Sequence, residues 1–452
     1  MNEAKPILAL NRFEAGDMGQ MDRRLAELVA RRYKTQGRSS VIFYQQPLEI
    51  VRAAGVWMYD AAGKAYLDMY NNVPSVGHSH PRVVAAMTEQ AARFNTNSRY
   101  LYENLSEYAE ALLATFPASL SNVVFACTGS ESNDIALRIA TAATGKKGFI
   151  VTETAYHGNT SAVMAVSPSA YRNSRIPDHV RTVPAPDAAR LGAGADLERQ
   201  FAVRVQNAID SLNDAGIGFA GLLVDTIFSS DGVFAEPAGF LRETAERVHR
   251  AGGLFIADEV QPGFGRTGSG FWGFGRHGLI PDIVTLGKPM GNGFPMAGVV
   301  TRPDLLDAFC RQTEYFNTFG GNPVAAATGL AVLQVIHEEQ LIARAESAGA
   351  RLRAELRQLA ARYPVISDVR GAGMFNGIEF RRPDTGEPDE KMAAAVINAL
   401  KDQGVLIGAA GARGNTLKIR PPLCFSLDNA AFFLDKFDNV MAGLAKTTGG
   451  RA

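Results

Sequence analysis

Cysteine is scarce in this chain: three in 452 residues, at Cys127, Cys310 and Cys424. So few and so scattered, they exclude a disulfide framework or a cysteine-built zinc site and fit a reducing compartment. Net charge is missing too, with 46 basic and 46 acidic residues and a pI near 7.1. Nothing in that balance marks a nucleic-acid or membrane-surface partner. No apolar run approaches the roughly 20 residues that cross a bilayer. The first residues, MNEAKPILALNRFEAGDMGQ, lack the charged-then-apolar layout of a secretory signal. The expectation is a soluble, cytoplasmic protein, long enough for two or three domains and a substantial core.

What is present concentrates between Gly252 and Pro295. Leu254 to Ala257 is a short apolar run between turn residues, as in a strand buried on both faces. It ends in Asp258 and Glu259. Asp282 to Leu286 is a second such run, delivering Gly287, Lys288 and Pro289. Ligands of open α/β sheets collect outside the carboxyl ends of strands, so an acid and a lysine ending successive strands can face one ligand. A lysine can capture an aldehyde as a Schiff base, and an aspartate can hold a pyridinium nitrogen protonated. By type alone such a pair is far more often a surface acid and a surface base. Gly263 to Gly268 also satisfies G-x-G-x-x-G, but the glycine-rich run after it cannot supply the helix that a dinucleotide fingerprint requires.

ADEVQPGFGRTG followed by PDIVTLGKPMGNGFPMAGVV resembles the signature of class III aminotransferases, pyridoxal-phosphate enzymes of fold type I. The resemblance implies an α/β fold: a large, mostly parallel α/β/α domain over residues 96–330, with a smaller α+β domain built from residues 1–95 and 331–452. It implies Lys288 as the Schiff-base lysine and Asp258 as the partner of the ring nitrogen. Val260 would pack on a ring face and Gln261 would lie near the ring hydroxyl.

Along the chain, Met21 to Tyr33 has the spacing of an amphipathic surface helix. Ile50 to Asp68, with turns at Gly55, Asp60 and Gly63, reads as short antiparallel strands. His78 and His80 have no Cys or carboxylate at ligand spacing, and no metal is expected there. Asn122 to Cys127 reads as a strand, and Thr128 to Asp134 leads into a helix. A small polar loop opening a helix offers free N–H groups to a phosphate, or it is an ordinary cap. Similarity to the family's G-S-E-[AS]-N motif implies Gly129 and Ser130 as phosphate contacts, and Tyr156, after the strand Gly148 to Thr152, as the residue stacking on the ring. Ser167 to Leu197, broken by four prolines, reads as an irregular excursion.

The strand Ala220 to Thr226 carries Asp225, where relatives usually have a glutamate that pairs with a distant arginine. Thr318, by resemblance, contacts the cofactor phosphate of a neighbouring subunit, which implies a homodimer with shared sites and leaves a tetramer open. Long helices are expected from Val324 to Glu338 and from Leu341 to Ala361, and Gly371 to Phe380 is expected to start a C-terminal sheet. Where many relatives carry R-x-x-P-P-L, this chain has Lys418, with Arg420 two residues later on the same strand face. Lysine does not copy the planar fork with which arginine grips a carboxylate. Asp225, Lys418 and Arg420 are therefore the expected substrate contacts, with weak selection of an α-carboxylate. The chain resembles most the alanine-glyoxylate aminotransferase 2 subgroup, which also holds phospholyases. The expected activity is amino transfer from an ω-amino acid or amine to a 2-oxo acid such as pyruvate or glyoxylate, with phospholysis of a phosphorylated amino alcohol or amino acid as the alternative.

Overall fold

The computed structural model describes residues 10–13, 21–39, 41–171 and 176–449. The N-terminal stretch lies mostly outside them, as does part of the proline-broken excursion. The helix expected from Met21 runs Arg23–Gln36, capped by the Asp22 side chain, and buries only Val29. Three short strands follow, β1 (Ile50–Ala54), β2 (Trp57–Asp60) and β3 (Ala65–Asp68), paired antiparallel. Gly55 and Gly63 make their turns in the left-handed region, where a residue without Cβ is unstrained.

The central sheet contains β4 (Asn122–Ala126), β5 (Gly148–Thr152), β6 (Val180–Val183), β7 (Phe219–Val224), β8 (Leu254–Asp258), β9 (Ile283–Leu286) and β10 (Ala297–Thr301). Their order across the sheet is β4-β10-β9-β8-β7-β5-β6. Only β10 runs against the others. Every residue of β5, β7, β8, β9 and β10 is buried. That is why these strands read as continuous apolar runs: helices cover both faces of such a sheet. Each fully buried Val, Leu, Ile or Phe adds roughly 1.5–3 kcal/mol to stability.

β6 corrects one expectation. The stretch from Ser167 to Leu197 is not irregular throughout, since it holds this strand and the short helix Ala188–Leu191. Proline lacks the N–H that a ladder needs, yet it is tolerated beside an edge strand. Pro177 and Pro184 flank β6, which lies at the sheet edge.

Helices Pro323–Glu338 and Leu341–Ala360 lead into β11 (Ile366–Ala372) and β12 (Phe375–Phe380). The C-terminal sheet therefore begins at Ile366, before the expected Gly371, which lies inside β11 and pairs with Asn376. β13 (Val405–Leu406), β14 (Gly408–Ala410) and β15 (Thr416–Ile419) complete the strands. β13 pairs parallel with β3, and β15 lies between β12 and β14. Both ends of the chain thus share one small sheet. No helix of the described residues is long and apolar enough to cross a membrane.

Candidate active site

The carboxyl ends of the parallel strands floor a cleft of about 500 Å³, lined by Gly129, Ser130, Tyr156, Asp225, Asp258, Val260, Gln261 and Lys288 among others. β7 delivers Asp225, β8 ends in Asp258, and β9 runs through Gly287 into Lys288. β4 delivers Thr128, the cap of helix Gly129–Thr144. Thr318 is exposed and does not line the cleft of its own chain. Lys418 and Arg420, 3% and 8% exposed, sit in the wall beside Asp225 and Gln261.

The helix end is built for an anion. Thr128 Oγ1 accepts from the Glu131 amide at 3.2 Å, while Glu131 Oε2 accepts from the amides of Cys127 and Thr128 at 2.7 and 2.9 Å. This capping box leaves the Gly129 and Ser130 amides without a partner among the described residues. A Cβ on Gly129 would come within 3.1 Å of Val260 Cγ2, so any larger residue there would press on Val260. Ser130 Oγ accepts from the Asn159 amide at 3.1 Å and keeps its own proton to donate.

Asp258 is held more tightly than its place in the sequence indicates. Its Oδ2 accepts from Asn133 Nδ2 at 3.0 Å and from His157 Nδ1 at 2.7 Å, and its Oδ1 accepts from the Val260 amide at 3.1 Å. Asn133 also donates to the His157 carbonyl at 2.7 Å and accepts from Thr285 Oγ1 at 2.8 Å. One buried amide therefore ties the helix, the loop after β5, β8 and β9 together. Oδ2 is occupied, and Oδ1 keeps a lone pair for the cleft.

Lys288 is water-accessible at the cleft floor but has protein on every side. Burial first, and then the Arg420 charge, push its ammonium from the ordinary value down to about 8, against the opposing pull of Asp258 and Asp225. Lys418 is pushed far below the usual lysine range, by burial and then by Arg420, while Asp225 holds it back. Burial raises Asp225, opposed by its hydrogen bond from Ser229. Asp225, one methylene shorter than the family's glutamate, makes no ion pair with an arginine among the described residues: it accepts from the Ile227 and Ser229 amides at 3.0 and 3.1 Å and from Ser229 Oγ.

Glu259, the next residue, has a structural task. It accepts from Thr226 Oγ1 at 2.9 Å and from the Gly273 and Phe274 amides at 2.7 and 2.8 Å, while burial raises its pKa to about 8. It pins the glycine-rich run as a turn and a short 3₁₀ segment, Gly273–His277. Gly265 and Gly268 have positive φ and pack where a Cβ would strike Ile342 and Glu346. The G-x-G-x-x-G match is thus a packing motif against helix Leu341–Ala360. His78 pairs with Asp68 at 2.7 Å and His80 with Glu339 at 3.0 Å. Among the described residues no three His, Cys, Asp or Glu gather as a metal site.

Reading the sequence missed Asn133, His157, Ser229 and Asn72. Two had a visible signal: Asn133 closes the G-S-E-S-N run one helical turn after Gly129, and His157 follows Tyr156.

The unpartnered helix amides, the glycine approach, the half-free Asp258 carboxylate and the lysine of depressed pKa together fit a phosphorylated pyridine aldehyde. The comparisons agree. The family described as Aminotransferase class-III matches residues 41–441. A phospholyase from Arthrobacter, solved in complex with phosphoethanolamine, is 43% identical, with a TM-score of 0.88, over 92% of this chain and 99% of its own. An ethanolamine-phosphate phospho-lyase homolog 1 of Caenorhabditis elegans is 38% identical over 92% of this chain and 93% of its own. An alanine–glyoxylate aminotransferase 2-like protein of Drosophila melanogaster is 40% identical over 90% and 85%.

Proposed function

The chain belongs to the class III aminotransferases, pyridoxal-phosphate-dependent enzymes of fold type I, and from that premise we propose that it is a phospholyase acting on a phosphorylated amino alcohol of the phosphoethanolamine kind. The observation that carries this reading is the buried pair beside the cleft, the Arg420 cation and the Lys418 amine, whose charge burial and Arg420 oppose, neither with a carboxylate in salt-bridge contact among the described residues. A tetrahedral phosphate can accept hydrogen bonds from a guanidinium and an amine at once, whereas a planar carboxylate favours one arginine fork. Similarity to a phospholyase solved with phosphoethanolamine supports it.

Pyridoxal phosphate, when bound, supplies an aldehyde that takes up the substrate amine and a ring that accepts the electron pair of a deprotonated carbon. In this reading the Gly129 and Ser130 amides hold its phosphate, Tyr156 and Val260 pack on the ring faces, and Gln261 lies near its hydroxyl. Asp258 would hold the ring nitrogen through Oδ1, the oxygen that Asn133 and His157 leave open. Lys288, as neutral amine, takes the proton from the amine-bearing carbon. The neighbouring C–O bond breaks, phosphate leaves toward Lys418 and Arg420, and one water completes the balance: phosphoethanolamine gives acetaldehyde, ammonia and phosphate. Amino transfer from an ω-amine is the second reading, favoured by the water-accessible Lys288, which can return the proton elsewhere when a 2-oxo acid is supplied. Comparing phosphoethanolamine with ethanolamine separates the two. The proposal expects kcat/KM to be higher for the phosphorylated amine by about 10²-fold or more, and equal values contradict it.

The unit that works is a homodimer in this reading. Thr318 is exposed and does not line its own cleft, lies between the exposed rings of Phe316 and Phe319 in sequence, and serves the cofactor phosphate of a partner copy. Mixing inactive Lys288→Ala dimers with Thr318→Ala dimers should then restore part of the activity after subunit exchange. No recovery despite demonstrated exchange counts against a shared site.

A further inference from the structure

The polar groups beside the cleft form one continuous chain. Arg420 Nη1 donates to Gln261 Oε1 at 2.6 Å and to Asn72 Oδ1 at 2.8 Å. Gln261 Nε2 donates to Ser229 Oγ at 2.7 Å. Ser229 Oγ in turn donates to Asp225 Oδ2. Every proton points from the guanidinium toward the carboxylate. A guanidinium can only donate and a carboxylate only accept, so neither the Gln261 amide nor the Ser229 hydroxyl can reverse without setting like groups against each other. Bonds aligned in this way also reinforce one another.

The chain has a consequence for Arg420. A direct ion pair with Asp225 would occupy the guanidinium. Here two neutral groups stand between them, and Arg420 Nη2 makes no hydrogen bond among the described residues, while its Nε is buried without a partner. The ring of Tyr70 lies 4.5 Å from its guanidinium carbon, so packing, as well as hydrogen bonding, sets its place. Ser229 is fully buried and touches neither the cleft nor Lys288. Among the described residues its hydroxyl is the one hydrogen-bonded link between Asp225 and Gln261.

We propose that Ser229 is a positioning residue for anion recognition: through Gln261 it connects Asp225 to Arg420 without neutralising it, so Arg420 stays fixed and available to the anionic group of the substrate. This rests on the phospholyase reading for the nature of that group, and the relay itself is testable without turnover. The probe is inorganic phosphate, titrated into cofactor-loaded protein and followed by the change in visible absorbance.

Ser229→Ala is expected to weaken phosphate binding about tenfold, the scale of one lost hydrogen bond in a charged network, with cofactor content and thermal midpoint unchanged. The KM for phosphoethanolamine rises by a similar factor while kcat stays within about threefold. Ser229→Thr, which keeps the hydroxyl, recovers most of the affinity. Unchanged phosphate affinity in Ser229→Ala overturns the relay, and so does an equal loss in both variants, which would mean that space and not the hydroxyl matters. Wild-type protein that binds phosphate but releases none from phosphoethanolamine overturns the lyase reading alone, and the affinity series still decides the relay.

Discussion

Lys288→Ala lowers turnover by about 10⁴-fold or more and abolishes the pH-dependent visible absorbance of the cofactor-loaded protein. The size follows from the two tasks lost together: covalent capture of the aldehyde, and proton transfer at the substrate carbon, which alone is worth about 10²–10⁴-fold. No neighbouring amine can take over, because Lys418 is buried in the wall and lies beside Phe375, with its Nζ 5.5 Å from that ring. The depressed pKa of Lys288 adds a second observable. An amine that loses its proton near 8 is still mostly protonated at physiological pH but carries an appreciable neutral fraction, whereas an ordinary lysine is almost wholly charged. The rate at which cofactor-free protein captures pyridoxal phosphate should thus rise with pH and level off just above 8. A rate still climbing toward 10.5, or a pH-dependent visible band retained in Lys288→Ala, contradicts the assignment.

Asp258→Asn should lower kcat/KM by about 10³-fold while the protein still binds cofactor, as expected when a fixed charge is removed from a developing one. The surroundings sharpen this expectation. Oδ2 faces two donors, Asn133 Nδ2 and His157 Nδ1, so an amide in its place must turn its oxygen toward them. Its NH₂ then points at the Val260 amide and into the cleft, where a donor meets the ring nitrogen instead of a negative charge. Cofactor content measured by absorbance, with steady-state rates on the same sample, checks both halves. Activity near wild type would remove Asp258 from the role.

The parts of this site that were legible in the sequence share a physical cause. Strands buried on both faces must be apolar throughout, so β8 and β9 stand out as runs, and Asp258 and Lys288 stand at their ends. Glycines forced by close approach, such as Gly129, mark the phosphate loop. β6 was hidden because its flanking prolines signal irregularity and only its position at the sheet edge makes them tolerable. The hydrogen-bond partners were hidden for a different reason. Asn72, Ser229, Gln261 and Arg420 come from four distant segments, and no local pattern shows that they meet. The family's acid–arginine pair is altered at Asp225 for a local reason: its carboxylate turns back to Ser229 and two amides of its own loop.

One reaction tests the central claim most directly: cofactor-loaded protein given phosphoethanolamine and pyruvate together, with phosphate, ammonia, acetaldehyde and alanine measured in the same sample. The account predicts phosphate, ammonia and acetaldehyde in equal amounts, independent of pyruvate, and no alanine. Alanine formed without phosphate would contradict it and establish amino transfer as the activity of this site.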